Sequence, residues 1–181
     1  MKMITFLLAL LASVVSLAQD QSAPTPTPTI AGAYYQTPSG LSRLELATSS
    51  GFKTSGLAKA AFSYGVAKVK GKWLYHNPAA IAQLSDHRPI FTLVSQLDVS
   101  TQAIALLKLD VKKDHREAQY CEAGAWTGVK IEDQSVLPLT VTRIPNSNSL
   151  TIVPQADLPA GEYLLITDAG KGYDGYDFGV K

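Results

Sequence analysis

The sequence predicts a mainly β protein: a single β-sandwich domain of immunoglobulin-like, Greek-key type, with one short helix. Three observations carry that expectation. Short apolar stretches alternate with polar residues at period two, and Gly, Pro, Asn and Asp punctuate them. The segment Leu158-Pro159-Ala160-Gly161-Glu162-Tyr163 resembles the tyrosine corner of Greek-key sandwiches, where a Tyr hydroxyl bonds back to backbone a few residues upstream. Tyr163-Leu164-Leu165-Ile166 is apolar throughout, as expected of a strand covered on both faces.

The chain opens on a different kind of segment. Lys2 is followed by an almost unbroken apolar run from Ile4 to Val15, and Ser16-Leu17-Ala18 places small residues at a cleavage site. Residues 1–18 read as a secretory signal peptide, which makes the protein secreted or periplasmic. The run is shorter than the roughly 20 apolar residues of a transmembrane helix. Gln19 and Asp20 stand where a lipoprotein would carry a Cys, so release rather than lipid anchoring is expected, and no later stretch is apolar enough to span a bilayer. Residues 19–32 read as a Pro/Thr-rich linker, because the alternating prolines of Ala23 to Thr29 each fix φ and remove a donor, favouring an extended polyproline II spacer. The domain is then expected over residues 33–181.

Within it, Leu44 and Leu46 alternate with Arg43 and Glu45 as in a half-buried strand. Leu57, Ala58, Ala61 and Phe62 recur at helical spacing and predict the short helix over about 56–64. Lys72 to His76 predicts a strand with Trp73 and Tyr75 on one face, and Ile90 to Val94 another after Pro89. Ala105, Leu107, Leu109 and Val111 alternate with Leu106, Lys108, Asp110 and Lys112, a strand with one apolar and one mostly charged face. Arg116 to Cys121 reads as its return strand. Further strands are predicted around Leu139 and Val141, Leu150 to Val153, Tyr163 to Ile166, and Tyr176 to Val180. The total is eight to nine short strands, as in a sandwich or barrel.

Without residues 1–18 the chain carries 15 basic and 15 acidic residues. This balance gives no electrostatic footprint for nucleic acid. A single Cys, Cys121, cannot form an internal disulfide, and reads as a small buried apolar residue. The glycines of Gly170-Lys171-Gly172-Tyr173-Asp174-Gly175 match a dinucleotide fingerprint in spacing, but too few residues follow for the helix and strand it needs, so they read as a hairpin loop. Asp168, Asp174 and Asp177 lack the spacing and closing Glu of a calcium loop. His76, His87 and His115 fall in separate polar turns, with no short-range metal pair. Asp110 and Glu117 could flank a glycosidic bond, but their Lys and Arg neighbours suggest an exposed, ion-paired hairpin. No cofactor or metal is called for. The aromatic residues remain: Trp73, Tyr75 and Trp126, together with Tyr34 and Tyr35, are the candidates for a ligand-binding platform, since Tyr and Trp offer rigid contact area with a polar handle.

Four stretches carry a resemblance: Arg88-Pro89-x-Phe91, Leu109-x-x-Lys112-Lys113-Asp114-x-Arg116-Glu117, Leu158-x-x-Gly161-Glu162-Tyr163, and the ending Tyr176-Asp177-Phe178-Gly179-Val180. With these, most of residues 33–181 resembles a group of uncharacterised exported bacterial proteins. The resemblance implies a β-sandwich-like fold and brings no activity. The function expected is a binding or cell-envelope-associated structural module with a protein or carbohydrate partner. The alternative is a hydrolase acting on envelope polymers, its carboxylates or histidines assembled only by the fold.

Overall fold

In a computed structural model, the described residues are 28–55, 69–96, 100–101, 104–124, 128–131, 136–167 and 175–181. The expected leader, the Pro/Thr repeat as far as Thr27, the helix expected over 56–64, Trp126, Asp168, Asp174 and the side chain of Cys121 lie outside this description. No described helix is long and apolar enough to cross a membrane.

The described chain is mainly strand: β1 (Gly32–Thr37), β2 (Gly40–Arg43), β3 (Leu46–Ala47), β4 (Gly51–Ser55), β5 (Val69–His76), β6 (Gln83–Leu84), β7 (Phe91–Val94), β8 (Ala105–Val111), β9 (His115–Gly124), β10 (Gly128–Ile131), β11 (Val136–Leu137), β12 (Leu139–Arg143), β13 (Leu150–Pro154), β14 (Gly161–Ile166) and β15 (Gly175–Val180). They form two sheets. The five-stranded sheet has the order β12-β13-β7-β1-β2. The ten-stranded sheet has the spine β3-β15-β14-β8-β9-β5-β4, with β10 beside β9, β11 beside β8 and β6 beside β15. All pairings are antiparallel except β6 with β15. The fold is mainly β and sandwich-like.

The sheets meet through alternate side chains, because successive residues of a strand face opposite sides. Ala33 of β1, Phe91 and Leu93 of β7, and Leu150 and Ile152 of β13 pack against Leu106 of β8, Tyr163 and Leu165 of β14, and Phe178 and Val180 of β15. Phe91 and Phe178 meet at 4.8 Å between ring centroids. The bond expected at the tyrosine corner is present: the Tyr163 ring is buried and its hydroxyl donates to the Pro159 carbonyl at 2.5 Å.

Four sequence expectations need correction. The strands number fifteen among the described residues, not eight to nine. Several of the extra ones are two-residue pairings too short to leave a periodic trace. Leu44 and Leu46 do not share a strand face. The chain leaves the small sheet after β2 and joins the large one at β3, so Leu44 is buried in the core while Leu46 is 57% exposed. Gly32, assigned to the linker, pairs with Val94 and belongs to β1. The charged face of β8 includes Leu106, which is fully buried because that face meets the small sheet.

The large sheet is buried on its other face as well. Leu107 and Leu109 of β8 and Leu164 and Ile166 of β14 pack with Tyr75 of β5 and Ala118 of β9 into a second apolar cluster, flanked by Trp73, Ala47 and Val136. A sandwich with one solvated outer face has no such layer. This second face also carries buried charge.

Candidate functional site

Three ionic side chains lie on the second face of the large sheet. Cross-strand register places them there: Arg116 opposes Tyr75, Asp177 opposes Leu164, and Glu162 opposes Leu109. Directly opposed residues share a face. The Arg116 side chain is 3% exposed, and those of Glu162 and Asp177 are each 10% exposed. Arg116 Nη2 lies 2.7 Å from Asp177 Oδ2, and Nη1 lies 3.3 Å from Glu162 Oε2. It also donates to backbone, from Nε to the Asn77 carbonyl at 3.0 Å and from Nη2 to the His76 carbonyl at 3.1 Å. Glu162 accepts two further bonds, from the Ala80 amide at 2.7 Å and the Gln83 side-chain amide at 3.0 Å.

These bonds clamp the segment from His76 to Gln83 onto the sheet. Asn77 adopts a left-handed φ of 66°, which Asn tolerates better than most residues, and Pro78 follows it. The result is a tight turn whose carbonyls face the guanidinium. Between this turn and the 45–48 segment lies a cleft of about 160 Å³. Tyr75, Arg116 and Asp177 line it, with Glu45, His76 and Asn77, and Leu46, Ala47, Ala79 and Ile81 add apolar surface. Leu46 is 57% exposed and Ile81 is 76% exposed, so two apolar side chains flank an ionic lining. The fixed dipoles and charges are held by the fold before anything binds.

Among the described residues, with Trp126 outside them, the predicted aromatic platform does not form as a surface. Tyr75 is buried in the second cluster, and Trp73 is half-buried against Phe52 at 4.8 Å between centroids. Tyr34 and Tyr35 belong to β1 of the other sheet, with the Tyr34 hydroxyl donating to the Ile30 carbonyl at 2.9 Å. Trp73 and Tyr75 do share a face, but that face is an interior one. Only Tyr75 reaches the cleft, as part of its wall.

The histidines are less separate than their turns suggested. His76 and His115 are cross-strand partners at the ends of β5 and β9. His115 bonds Asp114 through Nδ1 at 2.6 Å and approaches Glu117 through Nε2 at 3.4 Å. His87 Nδ1 lies 2.8 Å from the Leu158 carbonyl, in another part of the fold. Of the three, only His76 lines the cleft. Among the described residues, no group of three His, Cys, Asp or Glu could hold a metal.

Glu117 faces away from Arg116, since neighbours in a strand alternate. It is not the exposed hairpin carboxylate expected: its side chain is 5% exposed and accepts from Lys72 Nζ at 2.8 Å. Lys72 also reaches Asp110, at 3.3 Å, and Lys53 lies 3.7 Å from Glu117. Burial pushes the Glu117 carboxyl up, but bonds from Lys72 and His115 and the nearby positive charges outweigh it and hold it below its ordinary range. Burial likewise pulls the Lys72 ammonium down, and its bonds to Glu117 and Asp110 more than offset that.

Sequence reasoning missed Arg116, Glu162 and Asp177 as a group, and Leu46 and Ile81 as a rim. A signal for Asp177 existed. If Tyr163–Ile166 is covered on both faces, alternate residues of the neighbouring strand are covered too, and Asp177 is one of them. No family model, curated protein or solved structure matches the chain.

Proposed function

We propose that the chain is an exported, secreted or periplasmic β-sandwich module that binds a cell-envelope partner through the cleft between the 45–48 and 76–81 segments. One observation carries the reading: two exposed apolar side chains, Leu46 and Ile81, flank a lining locked in place by Arg116. Exposed apolar residues around a polar, preformed concavity mark a surface that gains by being covered. Preorganisation also spares the ordering cost that weakens binding by loops. The leader-like residues 1–18 support export, and the Pro/Thr-rich segment supports a role at a distance from an attachment point. The test is co-sedimentation with isolated envelope fractions. The protein is expected to pellet with them, and the Leu46→Asp/Ile81→Asp variant to remain in solution. Equal retention of both proteins, or of neither, would end the cleft reading.

A second reading, hydrolysis of an envelope polymer, draws on Glu45 and Asp177, two carboxylates lining the same cleft. Paired carboxylates on one concave surface are the elements of general acid–base chemistry. Release of soluble fragments from labelled envelope polymer, abolished by Glu45→Gln, would favour it over simple binding.

A further inference from the structure

We propose that the cleft receives a cationic side chain, a lysine or arginine presented by a partner polypeptide. The proposal rests on the cleft being the recognition surface and names the chemistry it selects. The charge count is the first argument. Glu162 and Asp177, each nine-tenths buried, share the single guanidinium of Arg116. That guanidinium also donates to the neutral carbonyls of His76 and Asn77. Among the described residues one negative charge is therefore in excess beneath the cleft, and Glu45 adds another in its lining. Charges held away from water are screened far less than surface charges, so their field persists into the cleft.

The apolar rim is the second argument, and it is independent of charge. Leu46 and Ile81 present aliphatic surface to solvent. Lys and Arg carry an aliphatic stem behind a charged head, and they cover such surface while the head seeks its partner. Size agrees: the 160 Å³ cleft is close to a cavity of about 150 Å³ that takes up a benzene-sized guest, which is room for one side chain. A carboxylate guest would meet Glu45 and Asp177 beside an Arg116 already engaged by two carboxylates, and a neutral guest would forgo the field. An acidic pocket with an aliphatic lip selects a cation on a hydrocarbon stem.

The experiment is an amide chemical-shift titration of the isotope-labelled protein with Nα-acetyl-lysine methylamide and Nα-acetyl-arginine methylamide. Two analogues serve as controls: the Nε-acetylated lysine derivative, of similar shape without charge, and Nα-acetyl-glutamate methylamide. The cationic probes are expected to shift the amides of Ala47, Asn77 and Ile81. Capping the ammonium should weaken binding roughly tenfold, the equivalent of one modest ionic contact. Glu45→Gln, an exposed position that leaves the buried triad intact, should weaken the cations several-fold and leave the neutral analogue unchanged. If the neutral analogue binds as well as lysine, or the glutamate derivative binds better, the cationic assignment is overturned while the cleft still stands as a binding surface. If no probe shifts the cleft amides, both the assignment and the cleft reading fall.

Discussion

Tyr163 shows how much one atom can fix. Its ring is fully buried and stacks on Phe178 at 5.4 Å, and its hydroxyl returns to the Pro159 carbonyl, tying the approach to β14 to the strand itself. Burial pushes the phenol pKa up, so it stays a donor. Tyr163→Phe keeps the ring and removes the bond. Pro159 is exposed, so water replaces the lost donor and the expected cost is about 1 kcal/mol. In urea this reads as a lower midpoint at unchanged slope. Arg116 is the opposite case. Arg116→Ala leaves two buried carboxylates without their cation, and the expected cost is about 3–5 kcal/mol. Arg116→Met combined with Glu162→Gln and Asp177→Asn should recover most of that loss, because neutral groups carry a smaller burial penalty. Calorimetric melting that ranks the triple variant below Arg116→Ala would show that the ion pairs themselves stabilise the fold. Tyr163 was legible in the sequence because its partner lies four residues away. Arg116 was not, because its carboxylates come from β14 and β15, and Lys112, Lys113, Asp114 and Glu117 around it made it look like one more surface charge.

At the scale of strands, the charged cluster across β4, β5, β8 and β9 sets a pH dependence. Its sign follows from two shifts. The Glu117 carboxyl is held below its ordinary 4.5, so its contribution is complete above that pH and is lost as pH falls through the lower folded value. His115 is raised above 6.5, by its bond to Asp114 first and to Glu117 second, so its contribution is complete below 6.5 and is lost as pH rises through the folded value. The cluster therefore stabilises most between about pH 4.5 and 6.5. Denaturation midpoints across pH should fall on the alkaline side, and His115→Gln should flatten that fall and make the acid limb shallower, because Glu117 loses one of the bonds that hold its carboxyl low. Packing sets a second strand-scale constraint. Gly179 of β15 lies against the Gln83 side chain, which bonds Glu162 and the Ala80 carbonyl. A methyl group there displaces that amide, so Gly179→Ala should cost about 1–3 kcal/mol through overpacking, and hydrogen exchange in the 80–84 segment should quicken. β5, β8, β13 and β15 were legible because alternation over four or more residues survives in sequence, and β14 because it is apolar throughout. β3, β6 and β11 were not, because two paired residues have no period. The passage from β2 to β3 was misread because Leu44 and Leu46 keep strand spacing while the chain changes sheets between them.

For the whole molecule, the large sheet separates two apolar layers, and this is where reading the sequence as a simple sandwich stops short. Alternation tells which residues share a face but not whether that face is covered. The uniformly apolar β14 was the one segment that declared both faces buried, and the same logic extended to β8 would have placed Leu106 and Leu107 in different cores. The candidate cleft was legible only in fragments, Tyr75 and His76 among them, because its partners come from β3, β5, β9 and β15, which alternation alone does not bring together. The two-layer arrangement makes a prediction that a sandwich with one solvated outer face does not. Leu164 and Leu165 are sequence neighbours, both fully buried, and they point into different layers, Leu164 with Tyr75 and Leu109, Leu165 with Leu106 and Phe178. Truncating either side chain leaves a cavity that close-packed neighbours fill only in part, so Leu164→Ala and Leu165→Ala should each cost about 2–5 kcal/mol. Were the second face open to water, Leu164→Ala would be mild, since surface substitutions usually stay within about 0.5 kcal/mol. Urea unfolding of the two variants side by side separates these cases: comparable losses require the second layer, and a loss confined to Leu165→Ala would reduce the molecule to one core.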